Sequence, residues 1–289
     1  MTNKLDTAPL RLWCGTLFGA SLQELLAAAT AGGFSSISLF PLVYHNAQES
    51  GLSNEQMRGL VEESGVKVAV IDPLTTWLPQ QLRTPPPSTS PEDIAFTHFN
   101  VDEVLAMAAT FGAESISVIE TFGTPIPVDV GIESFAGICD RAAEHGLRVQ
   151  LEFMPFSGIP DLATAWEIVR RANRSNGGLV FDTWHYFRGQ QDNDLLRTIP
   201  GDRIFVLQLS DAPLQREGSL KEESLHHRLL PGTGSFDLLG LLQIFKEIDA
   251  TPSIGIEVFS DTLAALPPVE IGRQVGTSLR TFLAQAQSI

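Results

Sequence analysis

Short apolar runs rich in β-branched and aromatic residues alternate along this chain with longer segments whose apolar positions recur at helical spacing. Arg11 to Phe18 reads as a first strand, and Ser21 caps an Ala- and Leu-rich helix that stops at Gly32-Gly33. Phe34 to Leu42 reads as a second strand, followed by a helix from Ser53 to Ser64 that Gly65 closes. Lys67 to Leu74 is a third, and a Pro-rich loop, Thr84 to Pro91, leads into a helix reaching Phe111-Gly112. Ser115 to Phe122 is a fourth, with a helix running on to His145-Gly146, and Arg148 to Phe153 is a fifth, with Asp161 capping a helix through Arg171. Leu179 to Trp184 is a sixth, with a short helix from Asp194 to Ile199, and Ile204 to Ser210 is a seventh. After a long polar loop come a helix from Phe236 to Ile248, an eighth strand from Ile254 to Phe259 and a last helix from Val269 to Gln285.

Eight strands, each followed by a helix, predict a parallel sheet with crossover helices. The repeat of roughly 36 residues is that of βα units in a closed barrel. No shift of composition marks a boundary, so the expected organisation is one (β/α)8 TIM barrel domain over residues 1–289. The rival is a doubly wound open sheet. It lacks its glycine-rich turn here, because Cys14-Gly15-Thr16-Leu17-Phe18-Gly19 does not have the Gly-x-Gly-x-x-Gly spacing.

Composition narrows the function classes. The chain is 43% hydrophobic and 18% charged, with 34 acids against 19 Lys and Arg, and its net charge of −15 disfavours nucleic acid and anionic membranes as partners. Two cysteines, Cys14 and Cys139, support neither a disulfide framework nor a cysteine zinc site. Leu25 to Gln48 carries no Lys, Arg, Asp or Glu, but Gly32-Gly33 and Pro41 interrupt it, so it is no unbroken membrane span. Met1 to Pro9 is polar and resembles no secretory signal, so a cytoplasmic protein with a small-molecule substrate is expected, and a homo-oligomer is left open.

Barrel active sites lie at the C-terminal ends of the strands. Strands five to eight each carry one polar group late in an apolar run: Glu152 in Val149–Met154, Asp182 in Leu179–His185, Gln208 in Val206–Asp211 and Glu257 in Ile254–Phe259. A buried carboxylate is costly unless it is paired or metal-bound. Local pairing with Arg148, Arg203 or a helix N-terminus would account for one acid, but the recurrence on four successive strands favours a shared cation. Oxygen donors suit a hard ion, Mn²⁺ or Mg²⁺. His185 follows the sixth strand, where it would face a substrate. The turn Pro231-Gly232-Thr233-Gly234 would aim Arg228 at the barrel mouth, where its planar fork suits carboxylate or phosphate. His45 and Asp72 are weaker candidates, and Tyr44, Trp77 and Phe156 are candidate walls of an apolar pocket.

At these residues the sequence resembles the xylose-isomerase-like TIM barrels, the sugar phosphate isomerase/epimerase superfamily. The specific part is Leu151-Glu152-Phe153, Phe181-Asp182-Thr183-Trp184-His185, Gln208-Leu209-Ser210-Asp211, His227-Arg228 through Gly234, and Ile256-Glu257-Val258-Phe259. The resemblance implies one divalent metal held by Glu152, Asp182, Gln208 and Glu257, with the two glutamates doubling as acid and base. Gln208 replaces the commoner His and, with the neighbouring strings, is similar to the 3-dehydroshikimate dehydratase branch.

The expected activity is a metal-dependent isomerase or epimerase of a hydroxy-ketone, sugar-like or cyclitol-like. It would work by α-proton abstraction and a metal-stabilised enediolate. Glu152, Glu257 or His185 would be the base, and Arg228 and His185 would touch the substrate. The alternatives are a dehydratase using the same site and a barrel that binds a metabolite without turning it over.

Overall fold

Parallel pairing of consecutive strands, with the eighth returning to the first, closes the sheet into an eight-stranded barrel. The structure, a computed structural model, describes residues 9–82 and 98–287. The strands are β1 (Leu10–Leu12), β2 (Ser36–Leu39), β3 (Lys67–Leu74), β4 (Ser115–Val118), β5 (Arg148–Glu152), β6 (Gly177–Asp182), β7 (Ile204–Leu209) and β8 (Ser253–Ile256). The expected α/β (β/α)8 barrel is the fold observed. The Pro-rich loop expected at Thr84 to Pro91 lies outside the described residues.

Helix starts follow the sequence signals closely. Ser21, Ser53 and Asn100 each form a reciprocal capping box with an acid or amide three residues on, and Asp161 caps the helix Leu162–Ala172. The helices Leu22–Gly32 and Pro268–Ala286 pack closely against each other. A Cβ at Gly272 would lie 2.0 Å from the Ala28 carbonyl oxygen, and one at Gly276 would lie 2.2 Å from that of Gly32, so only glycine allows this approach.

Several strands are shorter than their apolar runs. After β1 the chain turns into a buried 3₁₀ segment, Cys14–Leu17; after β2, Pro41 opens a helix, Pro41–Glu49, where its missing N–H is harmless. After β6, Asp182 caps a short helix, Thr183–Arg188, and the long polar loop after β7 contains another, Leu220–His226. Burial continues past each strand end, so hydrophobicity alone does not mark where pairing stops.

Register sets the level of the late-strand polar residues. Glu152 pairs with Val180, Asp182 pairs with Gln208, and Gln208 pairs with Gly255. Side chains alternate in direction along a strand, so Glu152, Asp182, Gln208 and Glu257 share the inner face and climb by two residues at β6 and again at β8. Below them the interior stays polar. Gln150 Nε2 donates to Ser117 Oγ at 2.9 Å, Ser117 hydrogen-bonds Asp72, and the Cys14 amide donates to Ser38 Oγ at 2.9 Å.

Candidate metal centre and active site

Glu152, Asp182, Gln208 and Glu257 are all buried at the C-terminal ends of β5 to β8, with His185 and Arg228 beside them. One ligand atom each from Glu152, Asp182 and His185 lies within 4.8 Å of the other two. His185 Nε2 is 3.4 Å from Glu152 Oε1 and 3.9 Å from Asp182 Oδ2. The capping turn after β6 causes this: Asp182 Oδ1 accepts the His185 amide at 3.1 Å and folds the ring back over the strand end. A residue expected to face substrate from a loop is therefore part of the acid cluster itself.

Arg228 is buried as well. Its Nη1 donates to Asp182 Oδ2 at 2.7 Å and lies 4.0 Å from Glu257 Oε2, while Nε and Nη2 donate to the Ser224 carbonyl and hydroxyl. The Trp184 and Phe259 rings cover the guanidinium, at 5.3 and 5.1 Å from their centroids.

Crowded carboxyls in a dry site resist ionisation. Burial, then the charge of Asp182, pushes Glu152 up to about 8; burial, then the charge of Glu152, pushes Asp72 up to about 8; burial also drives Glu257 well above its ordinary value. Burial acts on Asp182 in the same sense, but Arg228 and His185 outweigh it and hold Asp182 below the ordinary range. Burial pushes His185 down to about 3, so its imidazole is neutral. Both polar atoms of the Gln208 amide and Nδ1 of His185 are buried and have no hydrogen-bond partner among the described residues. Unpaired buried donors and acceptors in a native site call for an ion or ligand. Glu152, Asp182, Gln208 and Glu257, with His185 adjoining, thus fit a divalent cation.

Three buried acids that the sequence did not single out hold this site in shape. Asp211 accepts the amides of Ala212, Gly232, Gly234 and Phe236 at 2.8 to 3.1 Å, which folds the Pro-Gly-Thr-Gly turn around it. The antiparallel bridge from Asp211 to Leu229 then places Arg228. Glu223 receives Trp184 Nε1 at 3.1 Å and Arg188 Nε at 2.5 Å, docking the helix Leu220–His226 on the turn after β6. Glu120 accepts the amides of Phe122, Gly123 and Gly158, tying the loop after β4 to the loop after β5. That second loop carries Phe156, whose ring lies 5.8 Å from the His185 ring. The visible signal for Asp211 and Glu120 was an acid just beyond an apolar strand, beside glycine-rich loops.

Other expectations fall elsewhere. Asp72 joins the electrostatic cluster, whereas His45 is exposed on a helix, edge-on to Phe99 at 5.9 Å. Tyr44 and Trp77 are buried and bonded to Asn54 Oδ1 and the Ile119 carbonyl, whereas Phe156, the third proposed wall residue, packs against the His185 ring. Arg148 and Arg203 do not pair with the late-strand acids: Arg148 faces Glu114 at 4.0 Å, and Arg203 donates to the Arg174 and Gly177 carbonyls. Both lie at the strand starts, the far end of the barrel from the site.

The chain is 28% identical over 250 residues to a 3-dehydroshikimate dehydratase of Pseudomonas aeruginosa, a match covering 86% of this chain and 37% of that protein. It therefore spans well under half the length of that relative. Over 130 residues it is 30% identical to an inosose isomerase of Bacillus subtilis, covering 44% of this chain and 46% of the isomerase. The crystal structure of the IOLI protein with a bound zinc atom superposes with a TM-score of 0.82 at 18% identity, covering 97% of this chain and 100% of that one. The Xylose isomerase-like TIM barrel family matches residues 25–283. With that match over most of its length, and the closed parallel barrel to support it, the chain belongs to the xylose isomerase-like TIM barrel family.

Proposed function

We propose that this chain is a divalent-metal-dependent isomerase or epimerase that removes the α-proton of a hydroxy-ketone. The observation that carries the reading is the convergence of three buried carboxylates, a neutral histidine and an unpartnered amide at the barrel mouth. Glu152, Asp182, Gln208 and Glu257 would hold the ion; the closeness of Glu152, Asp182 and His185 and the zinc atom in the IOLI structure support a divalent ion at this mouth. When bound, a divalent ion supplies Lewis-acid stabilisation of a developing oxyanion and offsets the clustered negative charge. Mn²⁺ or Mg²⁺ is the proposed ion, from the oxygen-rich donor set.

The protein's own groups carry the proton. Glu152 and Glu257, both buried at the mouth, are the proposed acid and base, as the resemblance implies. Neutral His185 orients Glu152 through Nε2 and presents Nδ1 to a substrate hydroxyl. Arg228 keeps Asp182 ionised and in place. Trp184 and Phe259 shield that pair from water.

Return of the proton to the other face or to the adjacent carbon yields epimerisation or isomerisation. Departure of a β-hydroxyl yields dehydration, and the 86% coverage by the dehydratase relative favours this second reading of the same first step. The test is turnover, with Mn²⁺ in H₂O, of keto-sugars, keto-inositols and 3-dehydroshikimate deuterated at the α-carbon. A primary isotope effect, or loss of the α-deuterium to solvent, is the expected result. Full retention of an α-deuterium in a product that keeps that bond would indicate a hydride shift and end this reading.

A further inference from the structure

The inward–outward alternation of β7 continues one residue past its pairing. Leu207 and Leu209 join the main core, while Val206 joins the small interior cluster with Trp13, Val70 and Val180. Gln208 and Ser210 therefore point inward with Val206, Ser210 one step nearer the mouth. The main chain of Ser210 is pinned from the neighbouring strand end: Thr183 Oγ1 accepts its amide at 2.9 Å and donates to its carbonyl at 2.8 Å. Asp211, next along the chain, is bound up in an amide nest formed by Ala212, Gly232, Gly234 and Phe236. The Ser210 hydroxyl is left over: it is buried and has no hydrogen-bond partner among the described residues.

A buried hydroxyl without a partner costs free energy unless something bonds it. Its place in the barrel decides what that is. Two other unpaired groups lie a layer below the acids: Gln150 Oε1, two residues before Glu152, and Trp13 Nε1, which would lie 2.3 Å from a Cβ on Gly255, two residues before Glu257. Ser210 lies instead a layer above Gln208, on the side from which a substrate enters such a barrel. There the other unpaired groups are the Gln208 amide and Nδ1 of His185. His185 is fixed by the turn after β6, through its amide on Asp182 Oδ1 at 3.1 Å. Ser210 and His185 thus offer two polar groups held by main-chain contacts, the preorganisation that recognition needs. A serine hydroxyl both donates and accepts, which matches an alcohol O–H.

Resting on the proposed chemistry at this site, we infer that Ser210 is a specificity-determining residue: its hydroxyl bonds a substrate hydroxyl that lies outside the ion-chelating pair. It does so beside Nδ1 of His185. Its side chain takes no part in holding the ion or in the hydrogen bonds of the fold. A substrate without that hydroxyl leaves the serine unpaired again and is disfavoured for that reason.

The test compares Ser210→Ala with the wild type on the Mg²⁺-loaded full chain. It uses two probes: scyllo-inosose, and 2-hydroxycyclohexanone, which keeps the ketone and its neighbouring hydroxyl and lacks the rest. Binding is read by saturation-transfer NMR titration, ion content by elemental analysis and stability by thermal denaturation. Loss of the serine hydroxyl is expected to weaken scyllo-inosose about three- to tenfold and to leave 2-hydroxycyclohexanone unchanged. Ion content should stay the same, and the melting temperature should be equal or higher, because an unpaired buried hydroxyl is removed. Equal affinity of scyllo-inosose for both proteins, equal weakening of both probes, loss of the ion, or no binding of scyllo-inosose to the wild type overturns the inference. So does a melting temperature lowered by more than about 3 °C, which would show that the hydroxyl serves the fold through a buried water. A Ser210-dependent affinity without α-proton exchange of scyllo-inosose in D₂O upholds the residue's role and sinks the proton-abstraction reading. Exchange that Ser210→Ala leaves intact, at unchanged affinity, does the reverse.

Discussion

Arg228 and Asp182, 46 positions apart in the chain, form an ion pair of 2.7 Å from which solvent is almost wholly excluded, their side chains being 2% and 0% exposed. A buried pair of this kind is strongly destabilising when broken, because the remaining charge is left in a dry site.

Removing the guanidinium should therefore affect stability before catalysis. Arg228→Met is expected to lower unfolding stability by about 3 to 5 kcal/mol in metal-free protein, with Arg228→Lys intermediate because it keeps the charge but loses the Ser224 contacts. Urea denaturation of both variants is the check. A change within error for Arg228→Met would show that the pair is not formed in solution.

A divalent ion should stabilise the fold through the acid cluster. At a hundredfold excess over Kd, Mn²⁺ is expected to add about 2.7 kcal/mol of stability to the wild type. Glu152→Ala and Gln208→Ala should lose both the metal in elemental analysis and the thermal shift. Full occupancy in both variants would refute the ligand assignment.

Asp211→Ala empties the amide nest. The buried N–H of Ala212 and the partly buried N–H groups of Gly232, Gly234 and Phe236 lose their acceptor, and a loss of about 1 to 3 kcal/mol is expected in thermal denaturation. The vacated nest should then accept inorganic phosphate, raising the melting temperature of the variant but not of the wild type.

Glu120→Gln keeps the size of the side chain but weakens its hold on the Phe122, Gly123 and Gly158 amides. Hydrogen exchange should quicken at Gly123 and Gly158, and KM should rise more than kcat falls because Phe156 is no longer held over His185. Unchanged exchange at both glycines would show that the loops are held by other contacts.

Much of the architecture was legible in the chain because its signals are local. Ser21, Ser53 and Asp161 cap helices that begin one residue later, and β3 runs from Lys67 to Leu74 as its apolar run predicts. The late-strand positions of Glu152, Asp182, Gln208 and Glu257 could be read because a polar residue in an apolar strand stands out against its neighbours. The helices Pro41–Glu49 and Thr183–Arg188 were not legible, since their buried residues continue the strands' hydrophobic runs without a break.

The sequence by itself determined the order of eight βα units, their caps and four polar strand ends, all set by spacings of a few residues. Only the tertiary structure decided which charges meet. The stagger of neighbouring strands lifts Asp182 and Gln208 two positions above the level of Glu152, and a capping turn brings His185 back to that acid. A glycine turn wrapped on Asp211 then places Arg228 against a carboxylate 46 residues away. Such pairings depend on barrel closure, which brings together segments whose separation along the chain carries no local periodic signal.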